Sequence, residues 1–295
     1  MLGVHKRMLS DWFSAHSKPA ENDEKRRRTV KKKRNTWIAG IASFFVPGLG
    51  HVYAGAPRAG WLILGGFITA LLISGMFGVF STFYGLAAFV LISVLFYVTL
   101  IISSVRSARR NNNYELRWFN RWYWYVAVLI LVPVGFQLLF AYRGLVLGYE
   151  TFHIPSGSMV PTLEVGDVIA VNTRYREVVV GDVVVFRPPF DPKSSYVARV
   201  AAVGGNSLAI ENGAVIVNGV AQAQLAVPSS NRMREFSVAM PVRQIPQGEF
   251  FVLGDWRDNS NDSRFWGTVP RDNLIGKVTY IWFSDDLKRI GTYMR

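Results

Sequence analysis

Hydrophobic and polar positions fall into three regimes along the chain. Residues 1–36 are polar and basic with no apolar period, and are expected to form a mostly disordered tail. They do not read as a cleavable leader, because the positive region is too long and no short apolar core with a small-residue cleavage site follows. From Trp37 to Val105 the chain has no acidic residue and one basic residue, Arg58. That run divides at Pro47-Gly48-Leu49-Gly50 and again around Ser81-Thr82, leaving stretches of roughly 59–80 and 82–105. Each can cross a bilayer, since a span takes about 20 apolar residues. Residues 37–56 are interrupted too early to span and are expected to be interfacial or re-entrant. A third apolar run, 123–142, follows a polar loop over 106–122. Trp118, Trp122, Tyr123 and Trp124 at its start fit an aromatic belt, and Pro133 inside it predicts a kink rather than a break.

The pattern changes after residue 142. Runs rich in β-branched and aromatic residues stand at 169–171, 183–186, 196–200, 214–217, 250–253 and 278–283. Turn signals separate them, among them Gly181-Asp182, Gly204-Gly205-Asn206, Asn212-Gly213 and Asn218-Gly219. Short strands at such spacing, without a long amphipathic helix, predict an all-β domain over 143–295, barrel or sandwich-like. The weakly patterned stretch 221–248 reads as a surface excursion. The fold class expected is an α-helical membrane region over 37–142 followed by this β domain.

Charge refines the picture. The chain has 295 residues, half of them hydrophobic, and a net charge of +13. Eleven of those thirteen charges lie in 1–36 and 104–123, the segments flanking the apolar runs. This is the distribution of cytoplasmic basic loops, so the cluster Lys25–Arg34 marks topology and no nucleic-acid partner is expected. With both basic segments inside, two spans separate them and a third carries the chain outward. The β domain of this multi-pass protein is then extracytoplasmic, which in a bacterium is the periplasm or cell exterior. The chain has no cysteine, and its four histidines (5, 16, 51 and 153) all precede residue 154. Thiol chemistry and a Ser-His-Asp triad built within the last 140 or so residues are excluded, and no metal or cofactor is expected.

Three clusters in the β domain carry candidate chemistry. They are Ile154-Pro-Ser156-Gly-Ser158-Met-Val-Pro-Thr-Leu163, the strand Tyr196-Val-Ala-Arg-Val200, and the run from Gly254 to Gly267. By composition alone the first reads as a rigid Pro/Gly turn with solvated serines, and the last as a structural hydrogen-bonded loop. Together, in this order, and with Gly181–Phe186 and the ending Arg289-Ile290-Gly291, they resemble the type I signal peptidases. These are membrane-anchored serine proteases that use a Ser–Lys dyad. The likeness covers roughly 143–295. A second, shorter likeness, Pro47–Tyr53 with Gly55 and Gly60, is to a small two-helix membrane module.

The first resemblance implies that Ser158 is the nucleophile, with its own N–H and the Ser156 hydroxyl forming the oxyanion hole. It implies that Ser260 orients the general base and that Asp255 pairs with Arg199 and Asp262 with Arg264. It also exposes a departure. The family's base lysine precedes the arginine of the strand, and that position holds Ala198. A serine hydroxyl needs a base to become a nucleophile, and alanine offers none. Lys193 lies about 16 Å along the strand on the opposite face, while Lys277 and Lys288 belong to other segments and His153 reads as an interface residue. Either the alanine was introduced to disable the enzyme or the chain is a natural copy that has lost peptidase activity. The expected function is removal of signal peptides from exported precursors after small residues, impaired in this form, with those peptides and the lipid bilayer as partners. The alternatives are a catalytically silent protein that binds signal peptides or a translocation partner, and a specialised peptidase with one dedicated client.

Overall fold

The computed structural model describes residues 31–111, 114–115 and 120–294. The expectations for residues 1–30 and for Trp118 lie outside the described residues. The chain divides into two compact units, the first comprising residues up to Phe67 with Leu95–Gly135, the second Ile68–Val94 with Phe136–Arg295.

In the first unit the two-residue strands β1 (Lys31–Lys32) and β2 (Tyr114–Glu115) pair antiparallel. Helix α1 (Thr36–Phe45) starts where the Asn35 side chain accepts the Trp37 N–H at 2.9 Å, a standard N-cap. The Val46-Pro47-Gly48 sequence stops it, because the residue before a proline is pushed out of the helical region. A short helix α2 (Leu49–Tyr53) then folds back against α1. Gly50 makes this possible: a β-carbon there would fall 2.1 Å from the Ala39 carbonyl oxygen. Residues 37–56 are therefore two short helices, neither long enough to span.

Three longer helices follow: α3 (Pro57–Met76), α4 (Phe83–Arg110) and α5 (Trp122–Ala141). All three are long and apolar enough to cross a membrane. Their bounds differ from the apolar runs for local reasons. Gly78 in the left-handed region (φ 68°) ends α3 before Val79. Beyond Val105, α4 continues through Arg109 and Arg110, cations that favour a helix C-terminus. Pro133 is accommodated inside α5.

In the second unit a short helix, α6 (Arg143–Val146), leads into two antiparallel sheets. The strands are β3 (Tyr149–His153), β4 (Val168–Asn172), β5 (Val183–Phe186), β6 (Tyr196–Val203), β7 (Ser207–Glu211), β8 (Ala214–Val217), β9 (Val220–Ala221), β10 (Met240–Gln244), β11 (Glu249–Leu253), β12 (Val269–Pro270) and β13 (Leu274–Phe283). The larger sheet has the order β12-β11-β6-β5-β13-β4-β3, and the smaller β10-β7-β8-β9. Asn212-Gly213 and Asn218-Gly219 turn the hairpins of the smaller sheet with positive φ at both residues, as two-residue hairpin turns require. One core lies within the larger sheet around Val184, Phe186, Phe250 and Val278; a second joins the two sheets through Ala201, Leu208, Ile210 and Phe251. The stretch 221–248 is more than an excursion, since it supplies β10 and the helix α7 (Glu235–Val238).

The end of α3 and the turn that follows it, both in this unit, are tied to the β domain. Arg174 donates to the carbonyls of Gly75, Met76 and Val146, and the Tyr280 hydroxyl donates to the Phe80 carbonyl at 3.1 Å. Burial pushes the Tyr280 hydroxyl up from its ordinary pKa, so it remains a donor.

Candidate active site

The loop after β3 is pinned at both sides. Ile154 exchanges backbone hydrogen bonds with Asp167 and Gly166 at 2.8 and 3.0 Å, and the Met159 and Leu163 side chains are buried. Burying these two apolar anchors leaves Ser156 exposed and Ser158 half-buried, with their hydroxyl oxygens 3.4 Å apart. No acceptor among the described residues takes the Ser158 N–H. The Ser158 carbonyl accepts the Trp256 N–H at 2.9 Å, which joins this loop to the Gly254–Gly267 segment. That segment contains a 3-10 turn (Arg257–Asn259) and the short helix α8 (Ser263–Trp266).

A cavity of about 400 Å3 opens beside the loop. Ser156, Ser158, Ala198, Ser260 and Asp262 all line it, over an apolar floor that includes Ile154, Met159 and Phe186. Ala198 reaches it from β6, where it stands opposite Val184 and is 5% exposed. Arg199, the next residue, stands opposite Val183 on one side and Leu253 on the other, and does not line the cavity.

Behind the cavity lies a buried charge network. Arg199 holds Asp255 through Nε at 2.9 Å and Nη2 at 2.6 Å, and also donates to the Gly181 carbonyl and the Thr162 hydroxyl. Thr162 in turn donates to Asp255 Oδ2 at 2.5 Å. Asp262 accepts from Arg264 Nε at 2.8 Å and from the Gly254 N–H at 2.9 Å. Arg257, 2% exposed, donates to the carbonyls of Gly254 and Leu225. Burial pushes its guanidinium down to about 10 against the opposing pull of Asp255 and Asp262. Every polar group in this interior has partners, which a buried ionic cluster requires if it is not to destabilise the fold.

The candidate substitute bases are dispersed. Lys277 Nζ is 2.5 Å from Asp182 Oδ1 and 5.2 Å from the centre of the Tyr175 ring. Tyr175 donates its own hydroxyl to Asp182, and burial followed by that carboxylate raises its pKa. Lys193 is exposed, and Lys288 sits in a turn capped by Asp286. None of the three lines the cavity, whereas the exposed His153 does, at its rim. Three contributors escape sequence reasoning: Thr162, Arg257 and Asn231, whose amide donates to the Val160 carbonyl at 2.9 Å. Each meets a partner distant in sequence: Thr162 meets Asp255, Arg257 the Leu225 carbonyl and Asn231 the Val160 carbonyl.

A family model for signal peptidase, peptidase S26, matches residues 121–283. The chain belongs to this family. A probable signal peptidase I-1 of Synechocystis sp. is 36% identical over 147 residues, covering 45% of this chain and 71% of that protein. A signal peptidase I of Leptolyngbya laminosa is 34% identical over 163 residues, covering 50% and 78%. One of Pseudomonas fluorescens is 35% identical over 184 residues, covering 46% and 65%. The family is one of serine endopeptidases. The family match starts one residue before α5, so α1 to α4 lie outside it.

Proposed function

We propose that this signal peptidase holds the cleavage region of exported precursors in the cavity beside Ser158, at the outer face of a bacterial cytoplasmic membrane. The observation that carries the reading is the meeting of Ser156, Ser158, Ala198 and Ser260 around one cavity. Its apolar floor suits apolar side chains of the bound peptide. Phe190 and Phe265 are both more than half exposed and would face the bilayer from which the substrate emerges.

Ser158 Oγ would attack the scissile carbonyl. The charge that develops on the carbonyl oxygen would be met by the Ser158 N–H and the Ser156 hydroxyl, donors that help because they act on charge present only in the intermediate. Peptide hydrolysis also requires that the Ser158 proton be taken up and then delivered to the leaving amine. A lysine at position 198 would do both from within the cavity, and Ala198 cannot. Turnover in this form is therefore severely impaired, while the groups that bind peptide and stabilise the oxyanion are retained. That same contrast favours a second reading, a homologue that binds signal peptides without cutting them.

One experiment separates the two. Cleavage of a precursor is measured with this chain, with Ala198→Lys, and with Ala198→Lys combined with Ser158→Ala. The peptidase reading expects cleavage that appears with lysine and disappears with the second substitution. No Ser158-dependent cleavage after lysine is restored defeats it. Precursor binding without turnover by the unsubstituted chain and by Ala198→Lys alike would support the silent binder.

A further inference from the structure

Two hollows in the first unit meet at the start of α1, and peptide cleavage uses neither. One is a groove of about 390 Å3 between α1 and α4, lined by Trp37, Gly40, Ile41, Phe44, Ile101 and Val105. Gly40 forms its open floor. A β-carbon there would stand 3.4 Å from Val105 Cγ2 and 3.9 Å from Ile101 Cγ2, ordinary contact distances, so a larger side chain would occupy the groove. The second hollow, about 530 Å3, is lined by Lys33, Arg34, Asn35, Thr36 and Arg109. Thr36 and Arg109 line both, so the apolar trough and the basic cup adjoin there.

No aspartate or glutamate occurs from residue 25 to residue 114, and Glu115, which stands opposite Lys31 in the β1–β2 pair, does not line the cup. Arg34 is buried with its guanidinium 4.6 Å over the Tyr53 ring, while Lys33 and Arg109 are exposed. Trp37, 79% exposed, stands where the basic and apolar parts join, the placement of an interfacial tryptophan. A basic cup continuous with an apolar trough matches an anion carried on a hydrocarbon chain. A soluble anion would leave the trough empty, and an apolar peptide would leave the cations unmatched. Basic pockets between membrane helices on the cytoplasmic side are sites for anionic head groups.

We propose that this unit binds one anionic phospholipid of the cytoplasmic leaflet, its phosphodiester between Lys33 and Arg109 and one acyl chain laid along Gly40. The choice of leaflet rests on the topology proposed above; the binding does not.

The test is native mass spectrometry of the full chain in detergent, with phosphatidylglycerol and phosphatidylcholine of identical acyl chains. One phosphatidylglycerol should be retained about thirtyfold more strongly than phosphatidylcholine, as two interfacial cations would give. Lys33→Gln with Arg109→Gln should bring that ratio to within about threefold, and Gly40→Leu should abolish retention of either lipid at this site. Equal retention of the two lipids, or a ratio unchanged by the double variant, overturns the proposal. Displacement by excess inorganic phosphate would make it a free-anion site and also defeats it. A photo-crosslinker in place of Ile41 should label lipid; predominant labelling of a precursor polypeptide would reassign the groove. Circular dichroism in lipid-free detergent checks folding, and if Gly40→Leu fails to fold, the charge variant and the crosslink decide. Cleavage is not read in any arm, so failure here leaves the peptidase reading untouched.

Discussion

Arg199 grips Asp255 through Nε, 2.9 Å from Oδ1 and 3.2 Å from Oδ2, and through Nη2, 2.6 Å from Oδ2, with both side chains almost out of solvent. Such a pair need not make the fold more stable than an apolar pair would. Its removal from one side is costly, because the partner remains charged and buried. Asp255→Ala leaves Arg199 and the neighbouring Arg257 facing each other, and should cost about 3–5 kcal/mol. Denaturant unfolding of the full chain in detergent measures this, and a loss below about 1 kcal/mol would mean that solvent reaches the network.

Gly254 has no room for a methyl group. A β-carbon there would fall 2.2 Å from Ser260 Oγ, 2.5 Å from Ser260 Cβ and 2.8 Å from the Ser158 carbonyl oxygen. Gly254→Ala must therefore displace both serines. In an Ala198→Lys background it should lower kcat by about a hundredfold, since sub-ångström placement of reacting groups is worth that much. Unchanged kcat would show that the two serines need not be held together.

Restoring a base should have a characteristic pH dependence. A lysine at 198 would project into a partly apolar cavity, where burial disfavours its cation and lowers its pKa. It acts only when neutral, so kcat/KM of Ala198→Lys should rise with pH through that pKa and then level. General-base catalysis is worth about 10²–10⁴-fold over the unsubstituted chain. Ala198→Met, similar in volume but without a base, should gain nothing. His153→Ala should leave the activity of the lysine variant within about threefold, because the imidazole is exposed at the cavity rim.

The cleft loop should also show an acid limit. Burial raises the Asp167 pKa, but Arg289, the Glu164 N–H and Ser284 outweigh this, and the carboxyl is held below its ordinary range. A depressed carboxyl contributes stability that is present above the unfolded value of about 3.9 and is lost as pH falls through the lower folded value. Melting temperature should therefore drop below about pH 4. Asp167→Asn should flatten that part of the profile while lowering stability at neutral pH. An identical acid profile in the variant would rule out Asp167 as the group responsible.

The β domain was legible because its strands are runs of valine, isoleucine and aromatic residues separated by Asn-Gly and Gly-Asp turns, signals carried within a few residues. The strand at 240–244 was not, because Met-Pro-Val-Arg-Gln contains a proline and lies at the edge of the small sheet with four of its five residues exposed. The helix bounds missed for the same kind of reason: hydropathy ends at Val105, but helical hydrogen bonding continues through polar residues to Arg110. At the site, the motif pointed to Ser156, Ser158 and Ser260. It gave no role to Thr162 or Arg257, though both lie inside the quoted clusters, because a threonine 93 positions from its aspartate and an arginine 32 positions from one of its carbonyl acceptors leave no local pattern.

The clasp of Arg174 on the carbonyls of Gly75, Met76 and Val146, with Tyr280 on Phe80, joins the outer turn between α3 and α4 to the β domain as one body. In the proposed topology that turn marks the outer surface of the bilayer. If precursors are cut as proposed, the distance from lipid to Ser158 is then set by the protein, and the number of residues between the membrane-buried segment and the bond presented for cutting is the length that a precursor has to match.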